Sequence, residues 1–431
     1  MSRWWCHGKY ADEVIINTSL FLNRTKTRCK HVINKKSTKA YWGAIEAVNG
    51  LRRQVATLKD MAQSSTRIEG LDGLRALAVM TVLVSHLYLA VPGILQFSIF
   101  RTLARGGFLG VNMFFVMSGF LITSRLLHDT ETHGQINLRK FYAHRSLRIF
   151  PAVAVFLAVH YFYAARNDFP LSGTPANEFA MTKATFLQYA NYAIYKNPMT
   201  QFVDNVSLWS LSIEGQFYIA VPIVVFVLFR KNRHHYWPIG VILLSIGILA
   251  IQRGLVYNDL GWFATYIRTD TRIESLIIGM LGAVLVMKTN VVKPIFLRYA
   301  SFPAVIVLIV IVLYGRADGS FMWFGGMTLF DIACLVVVLA LAQEVFFASS
   351  LLRWKPIAWV GVISYGLYIW QVPVFRIIQR HGETLSNSER LTLAMSATFL
   401  LSTLSWYIIE RPAMRSRWGQ RLAGTYRSKA Q

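Results

Sequence analysis

The sequence predicts an all-α fold, a polytopic membrane helix bundle of about ten transmembrane helices. Three observations predict it. Of 431 residues, 54% are apolar and only 15% charged. The missing charge is concentrated in long apolar blocks such as 76–91, 153–163 and 305–313, and the basic residues fall mainly in short segments between such blocks. An ordinary soluble domain carries nearer ~25% charged residues. A helix crossing hydrocarbon needs ~20 mostly apolar residues, because no water is there to satisfy the backbone. A soluble core can hide one or two such runs, but not ten.

Residues 1–66 stand apart from the rest. They hold twelve Lys and Arg, no apolar run long enough to span, and no signal-peptide pattern. They read as a basic cytosolic tail, disordered or loosely helical, with Met61 as an alternative start of translation. Residues 67–412 form the membrane domain and 413–431 a basic cytosolic C-terminal tail. The spans fall near 71–91, 107–127, 147–165, 211–229, 237–256, 272–288, 299–315, 322–342, 357–377 and 391–409. Spans four and six open on polar residues. The longest connection is 167–206, in which TFLQYANYA (185–193) suits a short interfacial helix.

Ten spans put both termini on one side. Lys and Arg favour that side 32 to 12, so the positive-inside rule predicts cytoplasmic termini in a cell (inner) membrane. The net charge of +24 does not point to nucleic acid, because it is spread through loops instead of lining one amphipathic face. Cys6, Cys29 and Cys334 make no disulfide framework. The Cys6-His7 and Cys29-Lys30-His31 pairs lack a zinc spacing. Neither a metal site nor a bound cofactor is expected.

The informative residues are the charges inside the spans. At the bilayer centre each costs ~2.5–3.5 kcal/mol on insertion scales and needs a partner, a cavity or a role. Arg75 and His86 lie 11 residues apart in span one, which puts them on one helix face about 16 Å apart. Glu214, at the start of the inward-running span four, is expected in the outer half at the depth of His86. Arg272 and Glu274 open span six on that same side. An imidazole and a carboxylate in a sheltered site suit proton transfer. Each residue also has a structural reading. Arg75 can snorkel to lipid phosphate, and His86 can serve as an interhelical hydrogen bond. Glu214 can belong to an interfacial turn, and Arg272 with Glu274 can form an ion pair. Asp331 is a further intramembrane acid, either a proton or substrate contact or the partner of a donor on another helix. Trp323, Tyr365, Tyr368 and Trp370 fit an interfacial aromatic belt better than a sugar site.

Several motifs then occur in order. They are Arg67-Ile-Glu-Gly-Leu-Asp-Gly-Leu-Arg75 with the spacing to His86, and Gly107-Phe-Leu-Gly-Val-Asn-Met-Phe-Phe-Val-Met-Ser-Gly-Phe-Leu-Ile122. Phe141-Tyr-Ala-His-Arg-Ser-Leu-Arg-Ile-Phe-Pro151, Trp209-Ser-Leu-Ser-Ile-Glu-Gly-Gln-Phe-Tyr218 and Arg272-Ile-Glu274 follow. Ser364-Tyr-Gly-Leu-Tyr-Ile-Trp370 and Glu410-Arg-Pro412 complete the set. Over 67–412 the chain resembles the integral-membrane acyltransferase family 3, whose members O-acylate lipopolysaccharide, exopolysaccharide, peptidoglycan and lipo-oligosaccharide signals. It departs from that pattern at Glu274, where the family often has Asp, and at Gly215, where it often has a second Glu.

The resemblance implies a membrane-bound O-acyltransferase. It would move an acyl group, in the first place acetyl, from cytosolic acyl-CoA to a hydroxyl of an extracytoplasmic glycan or lipid-linked saccharide. His86 is the expected base or acyl acceptor, with Glu214 orienting its ring. Arg75, Arg145 and Arg148 are expected to hold the CoA phosphates, and Ser118, Arg272 and Glu274 to contact substrate. With no soluble hydrolase-like domain after the last span, acceptor-side chemistry falls to the membrane unit or a partner. The rival class is a polytopic transporter, which buried Arg, His and Glu also fit. No inverted repeat between spans 1–5 and 6–10 supports it.

Overall fold

A computed structural model describes residues 68–166, 174–197, 205–229, 236–289 and 291–416. All lie in the second of two units into which the chain divides, 61–431 after 1–60. The N-terminal tail with Met61, the Cys6 and Cys29 pairs and most of the C-terminal tail lie outside the described residues. Every regular element among the described residues is helical.

The helices that matter for the site are, in order, α1 (Glu69–His86), α2 (Ser98–Gly106), α3 (Leu109–His133), α4 (Leu138–Arg166), α5 (Pro175–Phe186), α6 (Ala190–Lys196), α7 (Trp209–Phe229), α8 (Tyr236–Ile267), α9 (Glu274–Lys288), α10 (Pro294–Tyr314), α11 (Met327–Ala342), α12 (Lys355–Val362), α13 (Ser364–His381) and α14 (Asn387–Leu404). Each of the ten expected spans is helical. Among the described residues, eight helices are long and apolar enough to cross a membrane, and nine if the pair α12–α13, bent by 66°, is one crossing. The remaining stretch, 272–288, yields α9 with only 15 residues, about 22 Å of rise. It is short because the chain turns at Thr269–Arg272, where Arg272 and Glu274 are drawn into a buried polar network.

The hydrophobic pattern sorts the helices into inner and outer ones. In the stretch Ser98–His133, 78% of the apolar window is buried, against 28% in Tyr236–Ile267 and Pro294–Tyr314. On α8, Leu244, Ile248, Ile251 and Leu255 recur at helical spacing and are all more than half exposed. Such an apolar stripe is a liability in water and a match for lipid tails. Inside, α9 packs closely on α3. A Cβ at Gly119 would collide with the carbonyl of Leu276, and one at Gly279 with the carbonyl of Val116, so the two glycines let the backbones touch.

Two short helices occupy the longest connection. TFLQYANYA straddles the end of α5 and the start of α6 instead of forming one helix, because Gln188 between them adopts a left-handed φ of 61°. That turn is pinned to α7: Ala190 N donates to Ser212 Oγ at 3.0 Å, and Gln216 Nε2 to the Gln188 carbonyl at 3.0 Å. The expected aromatic belt does not form from the residues named for it. Trp323, Tyr368 and Trp370 are buried and Tyr365 is partly so, and three of them turn their polar atoms inward: Trp323 Nε1 to the Ala317 carbonyl, Tyr365 OH to the Ile149 carbonyl and Tyr368 OH to the Ser207 carbonyl.

The α3–α9 contact gives a first prediction. Gly119→Ala should lower the thermal midpoint of the detergent-solubilised protein, consistent with the ~1–3 kcal/mol cost of overpacking. Gly247→Ala, at a helical glycine with open space around it, should leave it unchanged or raise it. Fluorescence-detected size-exclusion after heating reads both.

Candidate active site

A cavity of about 190 Å³ opens between α1, α3, α4, α7 and α13. Arg75, Arg145, Arg148, Ser118, Glu214 and Tyr218 line it, and Ser210, Ser364, Tyr365 and Tyr368 close the far side. Three guanidinium groups therefore face one carboxylate among the lining residues. The sequence builds this locally. Arg145 and Arg148 are three residues apart on α4 and share a face. Ser210, Glu214 and Tyr218 are each four apart on α7 and make one polar stripe. Arg148 is exposed at the mouth, Arg145 partly buried behind it. The Arg145 guanidinium lies over the Tyr218 ring at 5.3 Å, and Arg75 is paired with Asp72 one turn back at 3.3 Å.

Glu214 is held by one oxygen. Ser118 Oγ donates to its Oε1 at 2.6 Å, and Tyr218 OH donates to the same atom. Ser118, expected to contact substrate directly, is thus also a fastener for the carboxylate. The second oxygen, Oε2, carries no hydrogen bond of its own from these two donors and is left for the cavity.

His86 is elsewhere. It ends α1, which is unbroken over Glu69–His86, so the expected spacing of about 16 Å from Arg75 on a common face holds. Its Nδ1 meets Gln371 Oε1 at 3.4 Å. The expectation that Glu214 lies at the depth of His86 and orients its ring is corrected. Tyr365 and Tyr368 of α13 line the cavity with Glu214, whereas Gln371 stands one turn beyond Tyr368. From Tyr365 to Gln371 the helix rises about 9 Å. Glu214 falls on the second turn of α7, which begins at Trp209 directly after an already buried turn, Val206–Leu208. Tyr368 stands between the two, its OH donating to the Ser207 carbonyl at 2.5 Å and lying 2.6 Å from Ser210 Oγ.

Arg272 and Glu274 are corrected as substrate contacts. Neither lines the cavity, and both are fully buried. Nor do they pair with each other. Glu274 binds Arg253 of α8, a residue the sequence reading passed over inside span five, and accepts Thr328 Oγ1 at 2.6 Å. Arg253 also donates to Thr328 Oγ1 and to the Trp323 carbonyl. Arg272 donates to Asn112 Oδ1 at 2.7 Å and sits over the rings of Trp209 and Tyr266. Asp331 finds its donors in Asn112 Nδ2 at 2.9 Å and Ser275 Oγ at 2.6 Å. A lone Arg at 253 in an otherwise apolar span was the signal that a buried acid had to face it.

With this geometry in place, comparison with known proteins decides the family. The model of the family described as "Acyltransferase domain" matches residues 68–411. The chain belongs to that acyltransferase family. It is 29% identical to peptidoglycan O-acetyltransferase OatA of Listeria monocytogenes, over 81% of this chain and 56% of the relative. It is 30% identical to a protein of Bacillus subtilis provisionally named peptidoglycan O-acetyltransferase YrhL, over 80% of this chain and 54% of the relative. A provisionally named O-acetyltransferase of Staphylococcus aureus matches at 28%, over 80% and 57%. The chain thus spans little more than half the length of the curated relatives it matches. No solved structure gives a significant match.

The buried network yields a second prediction. Glu274→Leu strands the Arg253 charge and should cost about 3–5 kcal/mol, seen as loss of monodisperse protein. The double variant Arg253→Met with Glu274→Leu removes both charges and should recover most of that loss.

Proposed function

We propose that this chain is the membrane unit of an O-acyltransferase in the cell membrane, its described N-terminal end facing the cytoplasm. It moves an acyl group, in the first place acetyl, from cytosolic acyl-CoA to a hydroxyl of an extracytoplasmic glycan or lipid-linked saccharide. The observation that carries the reading is the cavity itself, in which three guanidinium groups meet one lining carboxylate, Glu214, and Asp72 behind Arg75, so that cations still outnumber acids. Membrane charges tend to be matched by partners. An excess of cations around open space fits an anionic guest, and guanidinium forks suit phosphate oxygens. The names of the relatives make peptidoglycan the first acceptor to test.

In this reading Arg148 at the mouth meets the phosphates first, and Arg145 and Arg75 hold them. The pantetheine arm then runs along the face shared by Arg75 and His86, past Tyr368. The free Oε2 of Glu214 accepts an amide N–H of that arm, so the carboxylate positions the donor instead of the histidine ring. His86 takes the proton from the acceptor O–H. The oxygen attacks the thioester carbonyl, the C–S bond breaks, and the thiolate departs with the electron pair of that bond. The imidazolium then gives its proton to the sulfur. An ester and free CoA result.

The test uses vesicles of known orientation and radiolabelled acetyl-CoA. His86→Ala should lower transfer about 10²–10⁴-fold with the KM for acetyl-CoA little changed. Arg148→Ala should raise that KM about 10-fold or more, the loss of one charge-assisted contact of ~1.5–3 kcal/mol. Full glycan acylation by a well-expressed His86→Ala protein would overturn the reading, as would transfer with the donor supplied only on the outer face.

A further inference from the structure

Resting on the reading of His86 as the base, we infer that Gln371 is its positioning residue: it fixes the imidazole as the Nδ1–H tautomer and leaves Nε2 as the proton acceptor. The geometry is a chain of hydrogen bonds in which each atom can play only one part. Gln371 is fully buried, so water does not choose the orientation of its amide. Its nitrogen, Nε2, lies 3.2 Å from the Tyr368 carbonyl. A carbonyl only accepts, so the NH₂ end of the amide has to be the end that faces it. The other end, Oε1, is then turned to His86 Nδ1 at 3.4 Å. An amide oxygen also only accepts, so Nδ1 has to bear the hydrogen. A neutral imidazole carries one N–H, and the lone pair falls on Nε2. A contact of 3.4 Å is long for a resting bond, as catalytic hydrogen bonds often are before substrate tightens them.

The chain has a fixed anchor. The Tyr368 hydroxyl donates to the Ser207 carbonyl at 2.5 Å and lies 2.6 Å from Ser210 Oγ. The turn of α13 that supplies the carbonyl is therefore clamped to the start of α7. An amide in this position differs from a carboxylate in one respect: it selects the tautomer without adding negative charge beside the ring. This assigns to Gln371 the orienting part that the sequence had suggested for Glu214.

The test is on the full chain in nanodiscs with ¹⁵N-labelled histidine, the His86 signals being identified as those absent from His86→Ala. In the wild type, Nδ1 should resonate as a protonated, pyrrole-type nitrogen and Nε2 as an unprotonated, pyridine-type one. In Gln371→Leu the two should average or exchange roles. Acyl transfer by that variant should fall in kcat by about 10²-fold, on the scale of general-base catalysis, with the KM for acetyl-CoA unchanged. A wild-type spectrum with the proton on Nε2 overturns the inference without any variant, so a misfolded Gln371→Leu protein does not shelter it. A spectrum and kcat unaltered in a folded Gln371→Leu protein overturn it too. Absence of acyl transfer by wild-type protein would instead strike the functional reading, and the tautomer result would stand apart from it.

Discussion

A guanidinium inside a bilayer has to be matched by charge, by hydrogen bonds or by access to water, and this chain meets the demand in two opposite ways. Around Arg253 and Arg272 the match is nearly closed. Glu274, Asp331, Asn112, Ser275 and Thr328 supply two carboxylates for two cations and leave Arg272 Nε as the loose end. Around Arg75, Arg145 and Arg148 it is open. Asp72 pairs with Arg75, and Glu214 is the one carboxylate among the residues lining the cavity beside Arg145 and Arg148. A closed network ties helices together, whereas an open one leaves room for a guest of opposite charge. That contrast separates scaffold from site more sharply than the identity of any single residue.

The two networks share helices. Asn112 and Ser118 both belong to α3, the first in the closed set and the second gripping Glu214. Trp209 at the head of α7 stacks on Arg272, while Ser210, the next residue, lines the cavity. The contacts of Arg272 with Asn112 and Trp209 on one side of α3 and α7 thus help hold the polar stripe on the other. The small residues Gly119 and Gly279 bring α3 and α9 close enough for both sets to form.

Much of this was legible in the sequence, and the misses have a common cause. Apolar blocks gave the helices, and the 11-residue interval gave the face shared by Arg75 and His86. The ordered motifs pointed to the family that the comparisons then established. What a sequence read one helix at a time does not contain is the neighbour across the gap. Adjacency in sequence suggests pairing Glu274 with Arg272, two residues away, but a helix turns by ~100° per residue and directs such close residues to different partners. Arg253 on α8 was the real one. A start of span four at 211 puts His86 and Glu214 at one depth. The helix starts at Trp209, straight after the buried turn Val206–Leu208, and Glu214 shares the cavity with Tyr365 and Tyr368 while His86 meets Gln371. All ten expected spans are helical, and polar pairing at its head leaves α9 the shortest of them as a single helix apart from the bent pair α12–α13.

The central claim is that the arginine-lined cavity receives an anionic acyl donor whose reactive end reaches toward His86. The most direct measurement is a structure of the full chain with a non-cleavable thioether analogue of acetyl-CoA. The account predicts phosphate density within hydrogen-bonding distance of Arg75, Arg145 and Arg148, with the acyl end beyond Tyr368 beside His86. Analogue density outside this cavity, or bound with its acyl end pointing away from His86, would contradict it.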